Sequence, residues 1–207
     1  MWLLAFDTCL DKTYITLTNG EIFKNKIILS DDKNYHSAYL ISTIVEILKE
    51  ENLTPKDLDC IAIDIGPGSF TGIRACMTVA RMLAQQLKIK AIGVSSLEIL
   101  SKVYDNNDLV ALDARKNKAY VFDGKILGAI DLDEVDKIIN NRRLVTDNSL
   151  FERFNKFTNE IVAYQNQDFQ LGEILAKIAL EKLSEGVDTD WRKVKPLYIQ
   201  PPPVFGR

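Results

Sequence analysis

Apolar positions recur along this chain in two rhythms. Over residues 60–65 (CIAIDI) they alternate and are rich in β-branched side chains, which predicts a strand. Over 70–87 they recur at helical spacing, and at about 100° per residue Gly72, Ile73, Cys76, Val79, Ala80, Leu83 and Leu87 fall on one continuous small-and-apolar arc. A helix covering one face of a sheet needs an apolar stripe of about 100°. This arc is wider, which predicts burial on two sides. A second helix, 38–51, has the same excess: Leu40, Ile44 and Ile47 centre its arc and are expected to face a sheet. Ala38, Ile41 and Val45 lie at the edge of the arc, towards a partner. On the longer helix Gly72, Cys76, Val79, Ala80 and Leu83 are expected to serve the same interface.

The remaining elements follow in order. Residues 2–8, 13–19 and 21–29 predict three strands, with Asn19-Gly20 as a hairpin signal between the second and third. Thr54-Pro55 predicts an N-cap and first position of a short turn. A strand at 90–94 leads to a helix capped by Ser95-Ser96 and running to about residue 103. The polar stretch 104–108 marks a boundary. Beyond it come strands at 109–113 and 118–123, a turn at Asp123-Gly124, a helix at 132–140, a strand at 143–146, a helix at 149–157 and a strand at 160–163. A long amphipathic helix at 172–183 is ended by Gly186. The order βββαβαβα followed by a smaller βαβα unit fits an α/β protein of two ribonuclease-H-like lobes. The boundaries expected are 1–103 for the first lobe, with the helix of about 168–186 packing back on it, 104–167 for the second lobe, and 191–207 for a tail.

Bulk properties narrow the function. A chain of 207 residues can build a substantial core. Its net charge of −3 argues against a stand-alone nucleic-acid binder, which would present a strongly basic face. The three cysteines, Cys9, Cys60 and Cys76, sit in apolar stretches without a CxxC pair, the pattern of buried thiols in a reducing cytosol. No signal peptide or membrane-spanning run is visible, so the expected compartment is the cytoplasm.

The candidate chemistry centres on GPGSFTGIR, residues 66–74. A strand, a glycine-rich turn and a helix N-terminus form an anion-binding geometry. A P-loop would need a second glycine five positions after the first, then Lys, and no Lys follows at either frame. A tight strand-to-helix turn, with Gly72 permitting close packing, is the competing reading. Ser69 or Thr71 can cap the helix. Asp7-Thr8 at the end of the first strand resembles the first phosphate loop of the actin/sugar-kinase superfamily, but its loop (DTCLDKTY) has no glycine. Asp7, Thr8, Gly66, Gly68 and Ser69 together form at most a vestigial nucleotide site. Asp113 and Arg115 offer either acid–base chemistry or an ion pair. His36 is the single histidine, and no Cys or carboxylate cluster stands at ligand spacing, so no metal is expected. In 191–207, Arg192, Lys193, Lys195 and Arg207 have no acidic neighbour within the segment, and prolines keep it extended. It is either a solvated tail or a peptide that docks on a partner or lies near nucleic-acid phosphate.

GPGSFTGIR and its helix resemble the signature of the TsaB (YeaZ) family, as do LLAFDT at 3–8, IGVSSLE at 92–98, ALDARKNKAYV at 111–121 and PLYIQ at 196–200. The resemblance implies a lobed fold of the actin/sugar-kinase superfamily. It also implies a role in placing threonylcarbamoyladenosine in tRNA, as a non-catalytic subunit that binds and activates TsaD. TsaE would join the complex, tRNA would be met only through it, and the free chain would pair with itself. TsaD carries two metal-binding histidines on the equivalent helix, which one histidine cannot supply. The alternatives are an ATP-binding phosphotransferase-like enzyme and a metallopeptidase. Only isolated glycines follow residue 104, so no second adenosine loop appears. The expectation is no cofactor of its own, with ATP at most weakly held.

Overall fold

A computed structural model describes residues 1–29, 36–104, 108–140, 142–158 and 160–200, without the side chains of His36 and Ser37. The chain forms two compact units. The first comprises Met1–Ser96 with Gln170–Pro196, the second Leu97–Phe169 with Leu197–Arg207.

The first unit is built on strands β1 (Trp2–Asp7), β2 (Thr13–Thr18), β3 (Phe23–Ile28), β4 (Leu58–Asp64) and β5 (Lys90–Val94). They lie in the order β3-β2-β1-β4-β5, with the first three antiparallel and β1, β4 and β5 parallel. Residues Leu3 to Asp7 are all buried, so β1 needs cover on both faces. Helices α1 (Leu40–Glu50) and α2 (Phe70–Leu87) supply one layer. Their Leu40, Ile44, Ile47, Ile73, Met77 and Ala84 share a core with Leu4, Phe6, Ile61 and Ile63. The long helix of the C-terminal region, α6 (Leu171–Ser184), lies against β1, β2, β4 and β5. Its Gly172 lets the backbone approach Tyr14 and Thr16 closely.

Helix α3 (Ser96–Ser101) leads to the second unit. There β6 (Leu109–Arg115), β7 (Lys118–Phe122), β8 (Ile126–Asp131), β9 (Leu144–Thr146) and β10 (Ile161–Ala163) form a sheet of order β10-β9-β6-β7-β8. Helices α4 (Leu132–Ile139) and α5 (Asn148–Phe154) share its core through Val135, Ile139, Leu150 and Phe154. Read from the other edge, this order is that of the first unit: three antiparallel strands, the first of which pairs in parallel with the fourth. Both units share this ribonuclease-H-like strand order, and the chain is an α/β protein of two such lobes.

The sequence reading missed β8, giving the second lobe one strand too few. Gly128 interrupts the pattern with φ of 108°, and the strand is an edge with Ile126 and Leu127 exposed, so its alternation is weak. The hairpin after β2 is also longer than Asn19-Gly20 suggests. Thr18 pairs with Phe23 across a four-residue loop, whose Glu21 and Ile22 N–H groups donate to Asn19 Oδ1. The first helix starts at Leu40, after a short 3-10 turn at His36–Tyr39. The residues assigned to a linker at 105–107, and the proline run 201–203, lie outside the described residues, as does the side chain of His36.

The expected tail departs most from its reading. Trp191 and Val194 pack on the first unit's core. Ala91 N–H of the edge strand β5 donates to Thr189 O, and Arg81 Nη2 donates to Val194 O at 2.7 Å. Arg192 and Lys193 are paired with Asp190 and Asp188, which a boundary drawn at 191 had cut away.

Candidate functional site

Asp7 and Asp64 are the last residues of β1 and β4, which pair in parallel with Phe6 opposite Ile63. Both carboxyls are buried at the same end of the sheet, 1% and 0% exposed. Each is engaged by the loop that follows its strand. Cys9 N–H donates to Asp7 Oδ1, and Gly66 N–H donates to Asp64 Oδ1 at 2.7 Å. Ser96, at the start of α3, donates its hydroxyl to the Asp64 carboxylate at 2.7 Å. Asp7 Oδ2 is buried without a hydrogen-bond partner.

The 66–74 segment folds as its composition dictates. Gly66 has φ of 96°, in the region where a side chain is strained, and the Gly66–Pro67 peptide is cis. Ser69 caps α2, its hydroxyl accepting from Gly72 N–H at 3.2 Å. The loop after β1 then lies directly on this turn. Ser69 N–H donates to Cys9 O at 2.7 Å, and Thr8 Oγ1 donates to Gly72 O at 2.6 Å. A Cβ on Gly68 would stand 2.3 Å from Cys9 O, and one on Gly72 1.7 Å from Thr8 O. Only glycine fits either place, and backbone rather than ligand fills the space beyond them.

The five residues of the vestigial nucleotide reading, Asp7, Thr8, Gly66, Gly68 and Ser69, therefore do converge. They converge on one another. Thr8 is fully buried, and the N–H groups of Ser69 and Gly72 are already spent on protein acceptors. The tight-turn reading describes the geometry better than the anion-cradle one.

The electrostatics of this end are unusual. Burial pushes the Asp7 carboxyl well above the ordinary range, and the neighbouring Asp64 and Cys76 push it further. Burial raises Asp64 to about 6, against the pull of the Ser96 hydroxyl, the Gly66 N–H and Asp7. Burial also raises the Cys9 thiol, helped by Cys76 and Asp64. Burial thus disfavours the charged form of both carboxyls, and the neighbouring Asp64 adds to this at Asp7.

Sequence spacing gave no sign of a further grouping here. Asp7, Cys9 and Cys76 bring one carboxylate oxygen and two sulfurs within 4.8 Å of one another, all three buried. The expectation that no ligand-type cluster forms fails, because α2 crosses the end of β1 and carries Cys76 onto the 7–9 loop.

The expected interface residues divide. Ile41 and Val45 are 55% and 41% exposed, and Ala38 is exposed too. Gly72, Cys76 and Ala80, assigned to the same interface, are buried in the first unit's own core. The breadth of α2's arc reflects its fit into the 7–9 loop as well as onto the sheet. Val79 and Leu83 are half-buried against that core. The outward side of α2 carries Phe70, Arg74, Thr78 and Met82 instead, with the Arg74 guanidinium over the Phe70 ring.

In the second unit Asp113 and Arg115 form no side-chain ion pair among the described contacts. Asp113 Oδ1 accepts from the Arg115 backbone N–H at 2.7 Å, and Asp113 N–H donates to Asp147 Oδ2 at 2.6 Å. Asp113 thus organises the β6–β7 turn, where Arg115, Lys116 and Asn117 all have positive φ. No described helix is long and apolar enough to cross a membrane.

A family model described as "TsaD: tRNA N6-adenosine threonylcarbamoyltransferase" matches residues 27–179. The tRNA threonylcarbamoyladenosine biosynthesis protein TsaB of Buchnera aphidicola (Schizaphis graminum) is 33% identical over 57% of this chain and 58% of its own length. The Bacillus subtilis protein of the same name is 33% identical over 58% of this chain and 53% of its own. The chain thus spans a little over half the length of these two relatives. YeaZ from Pseudomonas aeruginosa has the same fold, with a TM-score of 0.75 over 95% of this chain and 99% of that one, at 20% identity. The chain belongs to the family that this model describes, and it is similar to the proteins named TsaB and YeaZ above.

Proposed function

We propose that this chain is a non-catalytic subunit in the formation of threonylcarbamoyladenosine in tRNA, and that it acts by binding a TsaD-like catalytic subunit through the outer side of α1 and α2. One observation carries the reading. Ile41 and Val45 stand exposed on a helix whose Leu40, Ile44, Ile47 and Leu48 already fill the core. Tyr39 at the start of the helix, and Phe70 and Met82 on α2, add exposed apolar surface on the helical layer of the same unit. Such a surface on a soluble protein marks an interaction site. A second copy of the chain would cover it when the catalytic subunit is absent.

The phosphotransferase alternative finds less support. Its phosphate loop would need Asp7 and Thr8 within reach of a nucleotide, and both are buried beneath the 66–72 turn. ATP is not required by this reading, TsaE joins as a further subunit, and tRNA is met through the complex.

The test is sedimentation of wild type, Ile41→Glu and Val45→Glu, alone and mixed with the catalytic subunit. A charge at either position stays hydrated in the free protein but is desolvated and unpaired in a complex. Both variants are expected to remain folded and to lose both the self-pair and the mixed complex. Folded variants that form both assemblies at wild-type affinity would place the interface elsewhere.

A further inference from the structure

The grouping of Asp7, Cys9 and Cys76 has no part in the proposed subunit role. Its donors come from two places far apart in sequence, the loop after β1 and the second turn of α2. Asp7, Cys9, Cys76 and the adjoining Asp64 are all buried, and the charges acting on Asp7 are acidic. Asp64 has its own partners in Ser96 and Gly66. Asp7 is satisfied at Oδ1 only, and Oδ2 is buried with no partner. The two thiols have weak engagements: Cys9 Sγ lies 3.4 Å from Asp64 O, and Cys76 Sγ lies 3.7 Å from Phe6 O and 3.2 Å from Thr8 Oγ1.

We propose that Asp7, Cys9 and Cys76 bind one thiophilic cation, with Zn²⁺ as the fitting ion, which pins the loop after β1 to α2. Two sulfurs and a carboxylate oxygen within 4.8 Å stand close to the spacing a tetrahedral ion requires. Bonds of about 2.3 Å to sulfur and 2.0 Å to oxygen put ligand atoms roughly 3.3–3.8 Å apart. A contraction of at most about 1–1.5 Å therefore closes the site. Thiolate donors select zinc or other soft ions over Mg²⁺ and Ca²⁺, which take oxygen ligands. Asp64 O, beside Cys9 Sγ, offers an oxygen for the fourth position. The cation would also supply the positive charge that this buried acidic end lacks, and the unpartnered Oδ2 of Asp7 leaves its carboxylate a free oxygen to offer. Because every donor is buried, the ion is taken up as the chain folds, as in structural zinc sites.

The experiment uses the full chain, reduced, stripped by chelator in denaturant and refolded with Co²⁺ or Zn²⁺ at one equivalent. The expected result is about one ion retained through gel filtration, a tetrahedral Co²⁺ spectrum with thiolate charge-transfer bands, and a raised melting temperature. X-ray absorption of the zinc-loaded wild type should show two sulfur neighbours, a reading that needs no variant. Cys9→Ser and Cys76→Ser should each weaken uptake by more than about 100-fold, beyond the 10–100-fold typical of outer-shell partners. Cys60→Ser, outside the cluster, should leave uptake unchanged. Refolded protein that retains no ion, an absorption shell without sulfur, or uptake that survives both cluster substitutions would overturn the proposal. None of these readouts depends on the catalytic subunit, so failure here leaves the proposed subunit role standing.

Discussion

Thr8 and Gly72 hold each other from both directions: the Thr8 hydroxyl donates to the Gly72 carbonyl at 2.6 Å, while the Thr8 carbonyl occupies the place a Gly72 side chain would need. This reciprocal contact fastens the end of β1 to the first turn of α2. It also explains why a phosphate-loop geometry carries so little open space.

Gly72→Ala should be among the most damaging small substitutions in the chain. The added carbon would meet backbone at 1.7 Å, and neither α2 nor the end of β1 can yield without losing core contacts. We expect a loss of about 3 kcal/mol or more, at or beyond the upper end of ordinary overpacking. Thr8→Val keeps the shape and removes the hydroxyl, leaving Gly72 O short of a partner, at about 1–3 kcal/mol. Urea denaturation of both variants checks the order. Equal, small effects would show that the loop is free to move away.

The buried carboxyl pair gives the chain an acid-side advantage. Asp64 titrates near 6 in the folded state against an ordinary 3.8, so between those values the folded protein holds a proton that the unfolded chain has released. Stability from this group is fully present below about 3.8 and is lost as pH rises through about 6. The raised Asp7 carboxyl acts in the same sense. The amount is on the order of 3 kcal/mol for a shift of about two units. Groups such as Asp190, held down near 2 by Arg192, act in the opposite sense at lower pH, so the comparison is made against Asp64→Asn. In the presence of chelator, wild type should lose stability relative to Asp64→Asn as pH is raised from 4.5 to about 7. Parallel pH profiles would show that Asp64 is not raised in the folded state.

Leu40 and Ile41 are neighbours in sequence with opposite environments, 1% and 55% exposed. Leu40→Glu should unfold the first unit, since an unpaired charge in that core costs more than the domain can spare. Ile41→Glu should shift the melting temperature little. Thermal melts of the two side by side check that α1 presents the face described, independently of any partner.

The segment after α6 should behave as a structural strap. Truncation after Gly186 removes the acceptors of Ala91 N–H and Arg81 and uncovers core packed under Trp191 and Val194. A loss of about 3 kcal/mol is expected, with Trp191→Ala giving a large part of it. A truncated chain as stable as the parent would return this segment to the status of a solvated tail.

Local pattern alone determined much of this protein. The alternation at 60–65 and the helical arc at 70–87 placed β4 and α2, with Ser69 or Thr71 as the cap, because those signals depend on neighbours within a few residues. The outward placement of Ile41 and Val45 was legible for the same reason, since helical periodicity orders positions around an axis. What the pattern could not decide was which molecule a wide apolar arc would meet. Gly72, Cys76 and Ala80 read as partner-facing, yet Ala80 lies in the core of the same unit, and Gly72 and Cys76 meet its 7–9 loop, a contact between positions more than sixty residues apart. Strand β8 escaped because an edge strand with Gly128 at its middle needs no strict alternation to be held by β7. The pairing of Asp7 with Asp64, and the meeting of Cys9 with Cys76, arise only when parallel strands end side by side and a helix crosses them. Spacing along a chain carries no information about such closures, which tertiary packing alone creates.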